Sequence, residues 1–420
     1  MDHSAIFGPL VSAGYSVRLH SFSALDCYMR LAPLPYTLAE TSADIPALAR
    51  LLEGLRFPGA DIADGAVDMD GQSWYFRCVD PDDIRHPSYT LLSLTQDWKT
   101  KRFRDLLDMY PLIRELRDQG RGITPKNTIP EPAVSAPWWT GLTPGGDRYQ
   151  ALMDAALILA RYGKYEDSTV DPHTPPIVKI LRLLDTLKPG LTPKPEAQRL
   201  LLTGILVSPR PDLGLELLKA AGFIREFWPE LAILDDVDHS KEFHPEGNVW
   251  KHTLETFRYR KTVGHGPSSG NGQTAHNHSA YDLRLSLGLL LHDVGKPLAV
   301  SSGSRRFDGH AELGARAARK FLERLEFDPP LIEDIYYLVK NHMLPAALPR
   351  LPLIRTQEIL ESPLFPTLLE LYRCDESSSF KGLDGYYESS AAYQSYLRNR
   401  RNPYRSADGK KMGKRSIRGY

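Results

Sequence analysis

The chain has 420 residues, 42% hydrophobic and 25% charged, with 52 Lys and Arg balanced by 52 Asp and Glu. That length suggests two or three domains, and that composition is globular material able to bury sizeable cores. A formal net charge of zero excludes a molecule that is basic or acidic throughout, so any preference for nucleic acid or membrane must come from local patches.

The three cysteines, Cys27, Cys78 and Cys374, lie far apart in no metal-ligand spacing, which suits a reducing compartment rather than a disulfide scaffold. The start, MDHSAIFGPLVSAG, lacks the basic flank and apolar core of a signal peptide. No apolar run approaches the roughly 20 residues that span a bilayer. The expectation is a cytoplasmic, multidomain protein with no membrane partner.

Along the chain, only residues 1–110 read as mixed α and β. Tyr15–Leu19 and Trp74–Val79 are β-branched or aromatic runs between turn-like clusters and are predicted as strands. Ile45–Gly54 has helical spacing and ends on a glycine. Asp68 and Asp70, in AVDMDGQSW, fall in a stretch that reads as a turn between strands. Ser88–Leu94 follows, and Phe103–Arg117 is predicted as an amphipathic helix. The Pro-rich stretch 121–147 reads as a linker or long surface loop, with Trp138–Trp139 as a docking point. Residues 148–162 and 176–188 regain helical periodicity.

From Pro195 onward nearly every segment is predicted helical: Glu196–Leu206, Leu213–Ala221, Val249–Tyr259, Leu283–His292, Ala311–Arg324, Leu331–Lys340 and Pro366–Tyr372. Residues 264–280, GHGPSSGNGQTAHNHSA, form a low-complexity flexible loop in this reading. The tail carries Arg400, Arg401, Arg405, Lys410, Lys411, Lys414, Arg415 and Arg418 against one acid, Asp408. It reads either as solvated chain or as an RNA-contacting arm. No internal repeat is present.

Four of the thirteen histidines stand on or beside predicted helices: His252 in VWKHT, His292 before Asp293 in LLLHDVGKP, His310 in FDGHAELGA and His342 in VKNHM. Asp375 follows the apolar run LLELYRC. Neutral imidazoles and carboxylates are good ligands for divalent first-row metals, and rigid helices hold them at fixed separations. Asp293 ends a strongly apolar helix, where a bare carboxylate is costly to bury and a bound cation offsets the cost. One histidine at a helix end is ordinarily just a satisfied polar residue. Six ligand-type residues in this order, with Gly295 and Lys296 after the doublet, make a specific signal. His265, His276 and His278 lack a rigid scaffold and read as non-ligands; His244 is an active-site neighbour or a helix contact.

The order H…HD…H…H…D resembles the HD superfamily of metal-dependent phosphohydrolases. By that resemblance His252, His292, Asp293 and Asp375 would hold one divalent ion, and His310 and His342 a second with Asp293 as the bridge. The metal would be Mn, Fe, Co, Ni, Zn or Mg. Asp293 and Lys296 would be the catalytic residues, Lys296 as the cation beside the substrate phosphate. No organic cofactor is expected. The stretch EAQRLLLTGILVSPRPDLGLELLKAAGFIREFWPEL, followed by FHPEGNVWKHT, resembles the class II tRNA nucleotidyltransferase and poly(A) polymerase family, whose bacterial members append an HD domain. The likeness is good over the last half of the chain and weak over the first.

In that family the N-terminal head adds nucleotides to RNA 3′ ends. Here the family's glycine pair is replaced by RLHSFSALD (Arg18–Asp26), with no glycine to admit a triphosphate. Its Asp-x-Asp falls on Tyr36 and Leu38 in YTLAET, which cannot hold the ions of nucleotidyl transfer. Tyr89–Thr90 survives of the next motif. In the neck, Ala151 and Asp154 stand where base-facing arginines belong, leaving Asp147.

The expected architecture is therefore multidomain α+β. A small mixed α/β nucleotidyltransferase-like head (1–130, degenerate) precedes a linker and helical neck (131–194), an all-α HD domain (195–405) and a basic tail (406–420). The expected function is metal-dependent phosphohydrolase action, as phosphomonoesterase or 2′,3′-cyclic phosphodiesterase, on a nucleotide or RNA-end phosphate. A CCA-adding or poly(A)-adding enzyme with a divergent site is the first alternative, and a non-enzymatic RNA-binding or nucleotide-sensing protein the second. tRNA or another RNA is the expected macromolecular partner.

Overall fold

The structure is a computed structural model that describes residues 3–59, 61–80, 90–105, 113–114, 146–163, 175–238, 247–263, 281–301, 307–379, 382–402, 404–406 and 409–410. It is a multidomain α+β protein, with one mixed sheet near the N-terminus and helices after it. Two compact units divide it: residues 1–223 with 262–281, and residues 224–261 with 282–420. No described helix is long and apolar enough to cross a membrane.

The sheet of the first unit runs β3-β4-β2-β1-β5-β6. Its strands are β1 (Val17–His20), β2 (Tyr36–Thr41), β3 (Gly65–Met69), β4 (Gln72–Cys78), β5 (Leu94–Asp97) and β6 (Phe103–Asp105). Only β2 and β4 pair in parallel; the other neighbours are antiparallel. Alternation along each strand sends one set of side chains inward. Val17, Leu19, Ala39, Trp74 and Phe76 join Phe7 and Leu10 of α1 (Ser4–Ser12) and Leu48 of α3 (Ile45–Leu51) in one buried core. Asp44 caps α3, its side chain accepting from the Ala47 amide. Asp70 (φ 52°) and Gly71 (φ 74°) form the two-residue turn between β3 and β4, both left-handed as such a hairpin requires.

Phe103–Arg117 departs from the predicted helix. Residues 103–105 are a strand, paired Leu94↔Asp105, Thr95↔Arg104 and Gln96↔Phe103. The reason lies in the preceding turn. Asp97 Oδ1 accepts from both the amide (2.6 Å) and the hydroxyl (2.7 Å) of Thr100, folding the chain back onto an open sheet edge. Ladder bonds there outweigh a weak helical preference. Residues 113–114 are helical; the rest of that span lies outside the described residues, as do Tyr89, Trp138–Trp139, nearly all of 121–147, His244, the loop 264–280 with its three histidines, Asp408 and the tail beyond 410.

Four helices complete the first unit: α4 (Arg148–Tyr162), α5 (Pro175–Leu184), α6 (Pro195–Leu206) and α7 (Pro211–Ala220). The helices over 195–220, read from sequence with the second half, thus pack in the first unit. A buried ion pair ties α4 to α2 (Ser21–Met29): Arg161 Nε lies 2.5 Å from Asp26 Oδ1, with side chains 4% and 3% exposed. Tyr162 donates to the same oxygen at 2.8 Å, and Arg161 also donates to the Ala32 carbonyl. The second unit is helical: α8 (Val249–Thr256), α9 (Leu283–Leu291), α10 (Lys296–Ser301), α11 (His310–Arg324), α12 (Pro329–Asn341), α13 (Phe365–Ser377) and α14 (Asp384–Arg400), with short turns between. Its core includes Trp228, Trp250, Phe257, Phe321, Leu287, Leu338 and Leu371.

Removing one partner of a buried ion pair strands the other charge. Asp26→Ala should therefore destabilise the first unit by about 3–5 kcal/mol. A urea titration followed by tryptophan fluorescence reads this as a lowered midpoint; an unchanged midpoint would mean that Tyr162 and the Ala32 carbonyl suffice for Arg161.

Candidate metal centre

Each candidate ligand sits at a helix terminus or in a terminal turn. Asn248 caps α8 by accepting from the Lys251 amide, which sets His252 in the first turn. Asp282 caps α9, and nine residues of LRLSLGLLL carry the chain through the core to His292 and Asp293. Gly309, at φ 76°, turns the chain so that α11 begins on His310. His342 ends α12, and Asp375 lies in the last turns of α13.

These termini converge. His252 Nε2 is 2.9 Å from Asp375 Oδ1, and His292 Nε2 is 3.8 Å from the same oxygen and 3.2 Å from Asp293 Oδ2. Asp293 Oδ1 faces the other way, 3.8 Å from His310 Nε2 and 3.9 Å from His342 Nε2, which are themselves 3.1 Å apart. Two groups whose ligand atoms lie within 4.8 Å of one another, and so could hold a metal ion, result: His252–His292–Asp293 and Asp293–His310–His342, sharing Asp293. Lys296 Nζ lies 2.7 Å from Asp293 Oδ2. All six candidate ligands and Lys296 are thus brought together. His252, His292, Asp293 and His342 are at most 2% exposed, whereas the Asp375 and Lys296 side chains are 27% and 15% exposed.

The hydrogen bonds on the far side of each ring fix what the near side offers. Nδ1 of His292, His310 and His342 lies 2.8, 2.8 and 2.7 Å from the carbonyls of Leu289, Phe307 and Val339. A carbonyl can only accept, so each Nδ1 carries the proton and each Nε2 presents a lone pair. Ser378 does the same for His252. Its hydroxyl donates to the Asp375 carbonyl at 2.7 Å and faces His252 Nδ1 at 3.3 Å as an acceptor. Two imidazole lone pairs 3.1 Å apart, at His310 and His342, repel unless a cation lies between them. A proton does not suit that role, because burial pushes the His342 pKa down to about 4 and lowers that of His310. His292 Nε2 is buried without a hydrogen-bond partner. These orphaned lone pairs, with oxygen and nitrogen donors throughout, fit a divalent metal.

Burial pushes the Asp293 carboxyl up, but the neighbouring His292 imidazole and the Lys296 ammonium outweigh it and hold the group well below the usual carboxylate range. Asp375 is likewise lowered, against burial, by the neighbouring His252 and His292 imidazoles. Both carboxylates are anionic at neutral pH. Gly295 is needed for the close approach of α10 and α11: a Cβ there would lie 1.9 Å from the His310 carbonyl oxygen and 2.5 Å from the Gly314 amide nitrogen. Ser378 and the three carbonyl partners were not legible in the sequence. The carbonyls carry no residue identity, and a serine in ESSS has no distinctive spacing.

The head gives a contrasting picture. Tyr36 is 5% exposed, and burial drives its hydroxyl pKa far above the ordinary range. Its hydroxyl packs on α6, where a Cβ at Gly204 would lie 2.8 Å from it. Leu38 stands two residues along the same strand. Asp68 is held by Arg56 (2.5 Å) and Ser73 (2.6 Å). Asp147 is a helix cap for the Gln150 amide, and Asp154 receives the Gln150 side chain while burial pushes its carboxyl up to about 7.

Residues 249–368 match the family model for the HD domain, a span that takes in His252, His292, Asp293, His310 and His342. The chain is similar to the CC-adding tRNA nucleotidyltransferase of Thermus thermophilus, 33% identical over 159 residues, 37% of this chain and 33% of that protein. It is also similar to the A-adding tRNA nucleotidyltransferase of Deinococcus radiodurans, 29% identical over 230 residues, 52% of this chain and 48% of that one. The matches thus span a third to about half of these relatives' lengths. A solved tRNA nucleotidyltransferase complexed with a primer tRNA and an incoming ATP analogue aligns over 93% of this chain and 97% of its own, at a TM-score of 0.38 and 12% identity. By sequence the chain is class II tRNA nucleotidyltransferase-like and carries an HD domain.

Gly295→Ala should push His310 away from its partners through the α10–α11 contact. The expected result is a destabilisation of about 1–3 kcal/mol and loss of metal from the His310–His342 side. Thermal melts and metal analysis of the purified variant check this; full metal content at wild-type stability would show that the helices separate without cost.

Proposed function

We propose that this tRNA nucleotidyltransferase-like chain acts on the phosphate of a nucleotide or an RNA end, through metal-dependent phosphate-ester hydrolysis at the HD centre. One observation carries the reading: two histidine groups share the buried Asp293, one on each of its oxygens. His252, His292, Asp293 and Asp375 would hold one divalent ion, and Asp293, His310 and His342 a second. A bound pair of this kind would supply an activated water and Lewis-acid stabilisation of both the attacking and leaving oxygens. The chain's own residues do the rest. The Nδ1–H bonds to backbone carbonyls hold the His292, His310 and His342 rings in the orientation that aims Nε2 inward. Asp375 and Lys296 are the most exposed members, so a substrate phosphate approaches from their side and meets the Lys296 ammonium. The low pKa of Asp293 keeps it charged.

Nucleotide addition to RNA is the second reading, and the activities named for the two relatives favour it over hydrolysis. The side chains of the head oppose it. Tyr36 and Leu38 offer no carboxylate, and Asp68 is engaged by Arg56 and Ser73. Function follows the residues of a site more closely than the fold around it.

A single panel separates the two. The protein, supplied with Mn²⁺, Co²⁺ or Ni²⁺, is screened against phosphomonoesters and 2′,3′-cyclic nucleotides, and in parallel with CTP, ATP and tRNA lacking its 3′ end. Hydrolysis is expected, and Asp293→Ala should reduce it to background while removing most of the bound metal. Full activity in that variant would sink the assignment. Robust incorporation of CTP or ATP by the wild type would decide for the transferase reading, and its loss in Asp68→Asn with Asp70→Asn would place the transferase carboxylates there.

A further inference from the structure

The chain has no net charge, yet one exposed segment of the head departs sharply from that balance. Between Trp98 and Arg104 the sequence WKTKRFR puts Lys99, Lys101, Arg102 and Arg104 around a single Phe103. This is the β5–β6 hairpin, with β6 at the edge of the sheet. All four cations are exposed, and none makes an ion pair among the described residues. The neighbouring acids are occupied elsewhere: Asp97 Oδ1 is used within the turn by Thr100, and Asp105 Oδ1 faces the Ser93 hydroxyl at 3.4 Å.

The hairpin is also tied together by its own contacts. Asp97 and Arg102 are joined through their backbones at 2.9 Å, Lys101 takes a left-handed φ of 58°, and its ammonium sits 3.0 Å from the centre of the Trp98 ring. Strand alternation in β6 puts Arg104 and Phe103 on opposite faces. Phe103 is 40% exposed, its ring perpendicular to that of Tyr28 at 5.5 Å. A large apolar ring left in water beside uncompensated cations suits a partner that brings phosphates and flat aromatic faces together.

We propose that the β5–β6 hairpin is a docking edge for single-stranded RNA, with Lys99, Lys101, Arg102 and Arg104 on the phosphates and a base stacked on Phe103. The choice of RNA among polyanions rests on the RNA-end reading above; the charge and the exposed ring do not. Phosphate contacts release counterions and make affinity fall with salt, whereas stacking does not. The two contributions therefore separate in one experiment.

The full chain is titrated into a fluorescein-labelled single-stranded RNA oligonucleotide across a potassium chloride series, and anisotropy is read. Changing Lys99, Lys101, Arg102 and Arg104 to Gln should weaken binding about tenfold or more at low salt and flatten the slope of log K against log salt by up to about 3. Phe103→Ala should weaken it about five- to a hundredfold with little change in slope. The double variant R102Q/R104Q, at exposed positions, keeps the Lys101–Trp98 contact and guards against misfolding; it should show about half the flattening. Unchanged RNA affinity in the charge variants or in Phe103→Ala overturns the proposal. So does polyglutamate competing as well as unlabelled RNA, which would make the edge a docking face for acidic protein. Turnover of a cyclic mononucleotide, followed alongside, should be the same in wild type and hairpin variants. If the wild type turns over nothing while RNA binding still depends on the hairpin, the hydrolase reading falls and the docking edge stands.

Discussion

A carboxylate as buried as Asp293, 2% exposed at the end of an apolar helix, stays ionised only where cations and polar groups around it offset its burial. Much of the second unit can be read as the means of meeting that demand. Lys296 and His292 face one oxygen, His310 and His342 the other. Long side chains between the helices would keep these groups apart. Gly295 and Gly314 instead let α10 and α11 touch through backbone, and Gly288 of α9 admits Leu371 and Leu338 where a Cβ would lie 2.9 and 3.3 Å from them. Close packing of helices and convergence of ligands are one geometric fact.

The same arrangement sets the proton inventory. Because a backbone carbonyl stands three residues before each of His292, His310 and His342, at the end of a helix for His292 and His342 and in the turn before α11 for His310, the backbone decides which ring nitrogen is protonated. His252 stands early in its helix and uses the Ser378 hydroxyl of a different helix end instead. The outcome is a set of inward lone pairs, two of them 3.1 Å apart, that is electrostatically unstable by itself and stable around a cation. The fit of this cluster to a cation is a consequence of polar groups whose alternatives have been removed.

In the first unit the polar groups have gone the other way. Asp26 is engaged through Oδ1 by Arg161 and Tyr162, Asp68 by Arg56 and Ser73, and Asp147 by the start of α4. Arg56 also reaches Glu196, which takes the Tyr75 hydroxyl at 2.7 Å, so the sheet is tied to α6 through the same network. Tyr36 adds an apolar ring to that seam. These carboxylates work as internal ties, and a group so engaged is a poor ligand for an incoming ion. The β5–β6 edge is different, since its four cations have no such partners among the described residues.

The sequence by itself determined the α+β order, the helical character of the second half and the set of six ligand-type residues, because helical periodicity and the identity and order of His and Asp are properties of the chain. It also carried the absence of carboxylates at Tyr36 and Leu38. Tertiary structure alone decided that Asp293 faces a different histidine group with each oxygen, that Ser378 backs His252, and that residues 195–220 pack with the head. It also turned Phe103–Asp105 into an edge strand against a local helical pattern, because ladder pairing with Leu94–Gln96 is a long-range gain that periodicity does not encode. The basic hairpin followed from the same pairing. Its four cations are visible in WKTKRFR, but their exposure and lack of partners depend on where the sheet ends.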